Sequence, residues 1–332
     1  MRSIFLGNES QIRRVYSDET VSLLVREAGL CADRVFTIDD AVNTDCSGVE
    51  YIFSTWGMPR IEENDVRTIF PDLKAVFYAA GSVQAFAAPL LNCGVRIFSA
   101  WKANAVPVIE YACSQILLAN KGYFHSSTAA SQGDRDGALT AFSRFPGNYD
   151  CTVGVIGAGA IGSGVIRELA GHRLKVKVFD PHISVEGAKA LGAEKAGSLE
   201  EIFSECRTVS NHSANNESTR GMLTERLFGM MPPFSTFINT GRGAQVDEKG
   251  LVSVLEARSD LFAILDVTWP EPPEKGHLFY DLPNVILTPH IAGSSGNEVR
   301  RMAEYMADGF IALKNGAAPR YEVTKDMLAT MA

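Results

Sequence analysis

The first hundred residues alternate between two hydrophobic periods. Short runs of β-branched and aromatic residues, typical of buried strands, lie at 3–7, 51–55, 73–79 and 95–98. Apolar residues at helical spacing fill stretches between them, at 10–28, 62–70 and 84–92. Strands that alternate with helices in this way predict a parallel α/β sheet.

A second alternating series follows a long apolar helix, predicted over 105–121. Between this long helix and the second series, residues 126–150 are rich in Ser, Gly, Asp and Arg, which predicts a connection with a short helix. Further strands are then predicted at 153–156, 175–179, 207–210, 235–239, 262–266 and 285–288. A final helix starts at 297. Two such series in 332 residues predict an α/β protein of two domains.

Composition narrows the class of protein. The chain has 31 basic and 39 acidic residues, a net charge of −8, which disfavours nucleic acid or an anionic membrane as the main partner. No apolar run approaches the roughly 18 residues of a membrane span, and the first ten residues do not resemble a signal peptide. The six cysteines are scattered without C-x-x-C or zinc-ligand spacing. We therefore expect a cytoplasmic protein with reduced thiols and no metal site.

The stretch TVGVIGAGAIGSGVIRELAG, residues 152–171, holds three glycines spaced G-x-G-x-x-G between a strand and a helix. In a dinucleotide fold, the first permits a tight turn, the second admits the pyrophosphate and the third lets helix and strand pack closely. The phosphates then lie at the positive end of the helix dipole. The cofactor contacts predicted here are Gly157, Ala158, Gly159, Ala160, Ile161 and Gly162.

An acid stands at the end of the following strand. Asp180, in KVKVFDP, would accept hydrogen bonds from the ribose hydroxyls and repel a 2′-phosphate. The sequence therefore favours NAD over NADP. The alternative is a purely structural turn followed by an aspartate that caps a helix.

Three polar residues follow consecutive predicted strands in the second half of the chain. Arg242 lies in NTGRGAQVD, Glu271 in ILDVTWPEPP and His290 in VILTPHIAG. Strand ends of a doubly wound sheet meet at one edge, so we expect these side chains to lie together. An arginine fork can hold a carboxylate, and a histidine can exchange a proton with a carbonyl oxygen. The glutamate would orient the imidazole and favour its charged form.

Each of the three has a simpler interpretation when taken alone. Arg242 could be a surface charge, His290 a satisfied loop histidine and Glu271 a solvated acid. Because the three residues occur together beside a dinucleotide turn, we favour the interpretation that they serve hydride transfer to and from a 2-oxo acid.

Four blocks in fixed order resemble the D-isomer-specific 2-hydroxyacid dehydrogenases. They are the glycine turn with Asp180-Pro181, INTGRGAQVDEKGLVSVLE at 238–256, LDVTWPEPP and LTPHIAG. The resemblance implies a Rossmann NAD domain, residues 104–296, inserted into a flavodoxin-like substrate domain of residues 1–103 plus 297–332. Such an insertion explains why the glycine turn occurs so late in the chain.

The resemblance also implies roles for individual residues. Arg242, Glu271 and His290 match the catalytic set, and Asp266 matches an acid near the nicotinamide carboxamide. The loop YAAGSV at 78–83 matches the one whose amides bind the substrate carboxylate, so substrate contacts are expected at Ala80, Gly81, Ser82, Arg242 and His290. Further cofactor contacts are expected at Pro181, His212, Ser213, Asn216, Thr240, Gly241, Arg242, Asp266, His290 and Gly293.

The chain departs from the family pattern at two places. It has Trp101-Lys102 where a Pro-Gly pair is common, and HSANN at 212–216 where the family commonly has His-x-Pro-x-Thr. Lys102 could be a surface charge or a cation near an acidic substrate, and Trp56 and Trp101 could narrow the substrate pocket or pack in the core.

The leading hypothesis is an NAD-dependent enzyme that interconverts a small D-2-hydroxy acid and its 2-oxo acid, such as glyoxylate or hydroxypyruvate. The long apolar helix suggests a homodimer formed through the NAD domain. One alternative is a relative that acts on formate or phosphite, although formate enzymes generally carry Gln at the position of Glu271. Another is an NAD(H)-sensing interaction protein similar to the corepressors of this family, because a fold alone does not determine function.

Overall fold

The computed structural model describes residues 2–318 and 320–328. Contacts divide the chain into two units, a first of Met1–Ala105 with Ser294–Ala332 and a second of Val106–Gly293. The sequence-based boundaries lie after residues 103 and 296. None of the helices in the described residues is both long enough and apolar enough to cross a membrane.

The strands within the described residues are β1 (Ser3–Leu6), β2 (Leu30–Phe36), β3 (Tyr51–Ser54), β4 (Ala75–Tyr78), β5 (Arg96–Ser99), β6 (Tyr149–Ile156), β7 (Arg173–Phe179), β8 (Glu194–Lys195), β9 (Thr208–Asn211), β10 (Thr236–Asn239), β11 (Phe262–Leu265), β12 (Val285–Leu287) and β13 (Glu322–Val323). The helices are α1 (Glu9–Val15), α2 (Asp18–Ala28), α3 (Ile38–Val42), α4 (Glu63–Thr68), α5 (Ala87–Asn92), α6 (Trp101–Asn120), α7 (Tyr123–Ser131), α8 (Arg135–Phe142), α9 (Ala160–Leu169), α10 (Val185–Leu191), α11 (Leu199–Glu205), α12 (Glu225–Gly229), α13 (Glu248–Ala257), α14 (Val299–Lys314) and α15 (Lys325–Leu328). Short 3-10 turns lie at Gly243–Gln245, Leu278–Tyr280 and Gly296–Glu298.

The first unit is built on a sheet of order β13-β5-β4-β3-β1-β2. The parallel part has the 2-1-3-4-5 order of flavodoxin-like folds. The edge strand β13 pairs antiparallel with β5, and Arg96 holds Glu322 through two hydrogen bonds of 2.7 and 2.8 Å. Residues from near both ends of the chain therefore complete one sheet.

Three phenylalanines in register form the core on one face of this sheet. Phe53, Phe77 and Phe98 are paired across β3, β4 and β5, and adjacent rings stack with centroids 5.2 and 4.7 Å apart. Phe310 of α14 meets the rings of Phe53 and Phe77 edge-on. Because offset stacking and edge-to-face contacts are the favoured aromatic geometries, this cluster fixes the last long helix against the sheet.

The second unit has a parallel sheet of order β12-β11-β10-β9-β6-β7-β8. Numbered from β6, this is the 3-2-1-4-5-6 order of the dinucleotide-binding fold with one further strand. The direction of strand succession reverses between β6 and β9. A ligand crevice is expected beyond the carboxyl ends of these two strands, because the loops that follow them diverge there.

The structure corrects several element predictions. The helix predicted over 10–28 is two helices, because Ser17 accepts a hydrogen bond from the Thr20 amide and caps α2. Strand β2 was missed, since its middle residues are polar and its apolar positions do not alternate. The connection predicted at 126–150 contains most of α7, all of α8 and the start of β6.

Candidate active site

The glycine turn joins β6 to α9 by a close approach of backbones. A Cβ on Gly162 would lie 1.9 Å from the carbonyl oxygen of Gly157, and one on Gly157 would meet the backbone of His212 and Ser213 at 2.8 Å. A Cβ added to Gly159 would have no non-neighbouring atom within 4 Å. Gly159 is also the N-cap of α9, and it has no side chain to satisfy the first amides of that helix. The turn therefore offers free space and amide donors where a pyrophosphate would bind.

Asp180 follows β7 and lies against this turn. Its carboxylate accepts hydrogen bonds of 2.7 Å from the amides of Ala158 and His182. These bonds fix the carboxylate beside the turn, while a carboxylate has further lone pairs for ribose hydroxyls. The position and charge of Asp180 fit a nucleotide without a 2′-phosphate.

The loop after β9 is organised by its own side chains. His212 is buried, and its ring nitrogens contact the hydroxyls of Ser210 at 2.9 Å and Thr240 at 3.0 Å. Burial lowers the pKa of His212 to about 3, so the ring is neutral. Asn216 uses its side-chain oxygen to cap the turn at Ser218 and Thr219. Both side chains are thus engaged within the protein.

Arg242 lies between β10 and the 3-10 turn Gly243–Gln245. Its Nη1 donates to the carbonyl oxygen of Gly241 at 2.7 Å. Burial lowers the pKa of the Arg242 guanidinium, and the negative charge of Glu271 partly opposes this shift. Arg242 and Glu271 are therefore near enough to interact, as their positions at neighbouring strand ends predicted.

Asp266 organises the loop that carries the histidine. It is buried at the end of β11, and its carboxylate accepts hydrogen bonds from the Thr288 hydroxyl at 2.6 Å and from the amides of Ile291 and Ala292 at 2.8 and 3.0 Å. Tyr111 of α6 contacts the same threonine hydroxyl at 3.2 Å. The resemblance suggested an acid near the cofactor, and the structure shows an additional task for it in fixing residues 288–292.

His290 and Glu271 form a direct pair. The distance between His290 Nδ1 and Glu271 Oε1 is 2.6 Å, and both side chains are partly exposed. The His290 backbone is left-handed, with φ at 55°, a conformation uncommon for residues other than glycine. Its amide donates to the carbonyl oxygens of Asp266 and Thr288, which hold it there. The imidazole therefore keeps its second nitrogen, Nε2, directed away from Glu271.

The loop that carries Glu271 is held by a partly buried acid of α13. Glu248 accepts a hydrogen bond of 2.7 Å from the Trp269 amide, and its other oxygen lies 3.5 Å from His277 Nε2. Burial raises the pKa of the Glu248 carboxyl to about 7, and the hydrogen bond from Trp269 only partly opposes this. Sequence reasoning missed Glu248, although an acid at the first position of a helix is a common feature.

The first unit carries the predicted carboxylate loop, Ala80–Ser82, after β4. The Ser99 hydroxyl donates to the carbonyl oxygens of Ala80 and Gly81 at 2.9 and 2.5 Å. In a trans peptide the following amide points the opposite way, so the amides of Gly81 and Ser82 face away from Ser99. Two adjacent outward amides are a suitable arrangement for binding an anion.

Sequence reasoning missed three buried amides of the second unit, Asn211, Asn239 and Gln245. They link the loop after β9 to the Arg242 segment through hydrogen bonds described below. The available signal was a polar residue in an otherwise apolar, buried context, as in TVSN and GRGAQV. Among the described residues, no group of three His, Cys, Asp or Glu side chains is arranged to hold a metal ion.

Comparison with protein families assigns the second unit. Residues 114–292 match the family described as D-isomer specific 2-hydroxyacid dehydrogenase, NAD binding domain. This segment contains the glycine turn and Asp180, together with Arg242, Glu271 and His290. The NAD-binding assignment agrees with the open space at Gly159 and with the amide donors of the turn.

Curated relatives match over part of the chain. YoaD of Bacillus subtilis is 33% identical over 210 residues, which cover 61% of this chain and 59% of that protein. The glyoxylate reductase of Korarchaeum cryptofilum is 33% identical over 180 residues, 54% of each chain. The D-3-phosphoglycerate dehydrogenase of Methanocaldococcus jannaschii is 29% identical over 212 residues, 63% of this chain and 39% of that one. The match thus spans between about two fifths and three fifths of the length of these relatives.

Solved structures agree on the fold of nearly the whole chain. The apo D-mandelate dehydrogenase of Rhodotorula graminis has a TM-score of 0.82 at 21% identity and covers 98% of both chains. A D-2-hydroxyisocaproate dehydrogenase has a TM-score of 0.75 at 20% identity and covers 98% of this chain and all of that one. The α/β fold expected from the sequence is confirmed, with two sheets that are parallel except for the antiparallel edge strand β13.

Two glycines of the turn should respond differently to the same substitution. Gly162→Ala forces a methyl group against the Gly157 carbonyl and should destabilise the protein by roughly 1–3 kcal/mol through overpacking. In the protein without cofactor, the added methyl group of Gly159→Ala meets no non-neighbouring atom within 4 Å. The Tm of this variant should therefore stay within about 2 °C of the parent value. Its NADH binding should weaken at least about tenfold, because the methyl group occupies the space expected for the pyrophosphate. Thermal unfolding and NADH fluorescence titration measure the two effects. Unchanged NADH affinity in Gly159→Ala would exclude this turn as the pyrophosphate site.

Glu248→Gln should stabilise the protein in a pH-dependent way. Because the folded-state pKa is raised to about 7, the folded protein binds this proton more tightly than the unfolded chain does. The contribution of Glu248 to stability is therefore present below the unfolded pKa, about 4.3, and is lost as pH rises through about 7. Glutamine keeps an oxygen for the Trp269 amide without the buried charge. We expect its Tm to exceed that of the parent at pH 8 and to match it near pH 4.

The exposed Glu225 of α12 supplies the matched control. Glu225→Gln should change Tm by the same small amount at both pH values, because no buried charge is removed. Differential scanning fluorimetry across pH 4–8 compares the variants. A Glu248→Gln variant that is less stable than the parent at pH 8 but not near pH 4 would mean that the folded protein requires the ionised carboxylate.

Proposed function

The chain belongs to the D-isomer specific 2-hydroxyacid dehydrogenases, and on this premise we propose that it interconverts a small D-2-hydroxy acid and its 2-oxo acid with NAD. The observation that carries the proposal is the 2.6 Å contact between His290 and Glu271. Arg242 lies close to this pair, and the same sheet edge carries the nucleotide turn. This arrangement supports the proposal that His290 is an acid–base group and that Arg242 holds a carboxylate next to the cofactor.

The cofactor site consists of the glycine turn and its neighbours. The amides between Gly157 and Gly162 would bind the pyrophosphate, and Asp180 would bind the adenosine ribose. Thr240, Gly241 and Gly293 would add further cofactor contacts, and Asp266 would lie near the nicotinamide carboxamide, as the resemblance implies. When bound, the reduced cofactor NADH would supply the hydride in reduction, and NAD⁺ would accept it in oxidation.

His290 supplies and removes the proton. The Glu271 carboxylate can only accept, so Nδ1 of the imidazole donates to it, and this fixes the ring orientation. Nε2 is then available to protonate the carbonyl oxygen during reduction and to take the hydroxyl proton during oxidation. Glu271 is a positioning residue that also stabilises the positive charge on the ring.

Arg242 would hold the substrate carboxylate. Its guanidinium is partly buried, and pairing with an anion offsets the cost of that burial. The outward amides of Gly81 and Ser82 in the first unit are suited to the same kind of group. Relatives named glyoxylate reductase support a short 2-oxo acid of the glyoxylate or hydroxypyruvate kind.

Loss of the imidazole should abolish turnover. We expect the purified protein to oxidise NADH with at least one of glyoxylate, hydroxypyruvate, pyruvate, phenylpyruvate and 2-oxoisocaproate, and to work poorly with NADPH. His290→Ala should lower kcat by about 10²–10⁴-fold, the usual contribution of general acid–base catalysis. Glu271→Gln should lower it less, because the ring keeps an oxygen acceptor. Loss of NADH absorbance measures each rate.

The exposed His172, in the turn after α9, is the matched histidine control. His172→Ala should keep the parent rate with every acid. Full activity of His290→Ala would overturn the catalytic assignment. Flat traces for all acids, despite measurable NADH binding, would favour an NAD(H)-sensing role over the proposed reaction.

We propose further that the protein is a homodimer assembled through helices of the second unit. Leu118, Tyr123, Leu139 and Phe142 on α6–α8 are 39–51% exposed; we call these four the helical patch. Exposed large apolar side chains on three consecutive helices are candidates for an interface. Burial by a second copy would remove this area from water.

Charge placed in the helical patch should separate the subunits. The parent chain of 36.0 kDa should elute as a species of 2 × 36.0 = 72 kDa, and Leu139→Asp/Phe142→Asp should shift the mass towards one chain. Val185→Asp, at an exposed apolar residue of α10, should leave the mass unchanged. Light scattering after size-exclusion chromatography gives these masses. A parent protein of one-chain mass would refute the dimer.

A further inference from the structure

Three amide side chains form a closed hydrogen-bond network beneath Arg242. Asn211 ends β9 and Asn239 ends β10, and the two residues are paired in register. Gln245 ends the 3-10 turn after Arg242. All three are fully buried. We call Asn211, Asn239 and Gln245 the amide triad.

Within the triad, Asn211 is the central donor. Its Nδ2 donates to Asn239 Oδ1 at 3.0 Å and to Gln245 Oε1 at 2.7 Å. Its Oδ1 accepts from the amide and the hydroxyl of Ser213 at 3.2 and 2.6 Å. Every donor and acceptor site of this side chain is therefore in use.

Gln245 connects the triad to two backbone segments. Its Oε1 accepts from the Arg242 amide at 3.1 Å as well as from Asn211. Its Nε2 donates to the carbonyl oxygens of Ser213 and Ala214, both at 2.9 Å. One buried side chain thus holds the Arg242 backbone against the loop after β9.

Asn239 holds the other side of the same segment. Its Oδ1 accepts from the Gly241 amide at 3.1 Å, and its Nδ2 donates to the Arg242 carbonyl oxygen at 3.3 Å. A Cβ on Gly241 would lie 2.7 Å from Gln245 Oε1 and 2.9 Å from Asn211 Nδ2. The segment therefore packs so closely against the triad that a side chain at position 241 would clash with it.

The loop held by the triad also touches the nucleotide turn. A Cβ on Gly157 would meet the Ser213 Cα and the His212 carbonyl at 2.8 Å. Contact thus runs without interruption from the glycine turn through Ser213 to Gln245 and Arg242. In a buried network whose groups are all paired, displacing one member leaves others without partners, so the arrangement resists partial change.

We propose that the amide triad is a positioning device that fixes Arg242 relative to the nucleotide turn and so determines how well the 2-oxo acid is held. This inference rests on the proposed role of Arg242. It assigns Asn211, Asn239 and Gln245 as positioning residues, since their side-chain partners lie within the protein. Removing the network should weaken binding of the acid far more than binding of the cofactor.

Gln245→Met tests the proposal, because methionine has similar length but cannot make these hydrogen bonds. Asn284→Met is the matched control. Asn284 is another buried amide of the same unit, and it donates to the carbonyl oxygens of Leu255 and Leu261, both at 3.0 Å, before β12. Both variants leave buried carbonyls unpaired and should lower Tm by about 2–10 °C.

Hydrogen exchange of the apo proteins comes first. Gln245→Met should exchange faster in the segments 211–216 and 239–246, whereas Asn284→Met should exchange faster only near 255–262. Unchanged protection of 239–246 in Gln245→Met would overturn the proposal. Hydrogen exchange requires no turnover, so it tests the positioning role even if the parent enzyme reduces none of the 2-oxo acids. Such a lack of turnover would contradict the proposed function and not the positioning role.

Kinetics then separate positioning from stability. Gln245→Met should raise KM for the 2-oxo acid at least about tenfold and keep the Kd of NADH within about threefold, a difference that a loss of stability alone does not produce. Asn284→Met should leave both constants within about twofold. Equal KM values in the two variants, or a loss of NADH affinity as large as the rise in KM, would overturn the positioning role.

Discussion

Buried polar groups must be paired, and this requirement organises the whole carboxyl edge of the second-unit sheet. A buried donor or acceptor without a partner costs about 1–3 kcal/mol. At this edge Asn211, Asn239 and Gln245 satisfy one another and the nearby backbone. Asp266 does the same for the loop that carries His290. The irregular segments that follow these strands are thus held in place by buried side-chain hydrogen bonds.

The same requirement distinguishes a side chain proposed to exchange a proton with the substrate from one that holds a loop in place. His212 has hydroxyl partners on both ring nitrogens and is kept neutral by burial, whereas His290 uses one nitrogen for Glu271 and is partly exposed. The two histidines that follow strand ends therefore differ in how many of their ring nitrogens are hydrogen-bonded within the protein. A ring with one nitrogen held and one exposed is suited to proton exchange, and a ring held at both ends is suited to fixing a loop.

One of the two departures from the family pattern, the segment HSANN, is explained by these hydrogen bonds. The segment HSANN places Asn216 where a threonine is common, and its side-chain oxygen caps the turn that follows. The backbone of Ser213 and Ala214 is held by Asn211 and Gln245. The chain thus orders this loop by side-chain amides.

Sequence alone determined the two alternating series, the glycine turn, the acid after the second strand of the nucleotide sheet and the three candidate catalytic residues, because periodicity and strand-end position are local properties. The predictions failed where local signals conflicted with tertiary contacts. Ser17 divides a continuous apolar pattern by capping a second helix, and β2 has a polar middle because it is an edge strand. Only the tertiary structure brought Asn211, Asn239 and Gln245 together and assigned different tasks to Asp266, Glu248 and His212. Pairing between residues distant in sequence depends on register and burial, and neither is encoded in any one stretch of the chain.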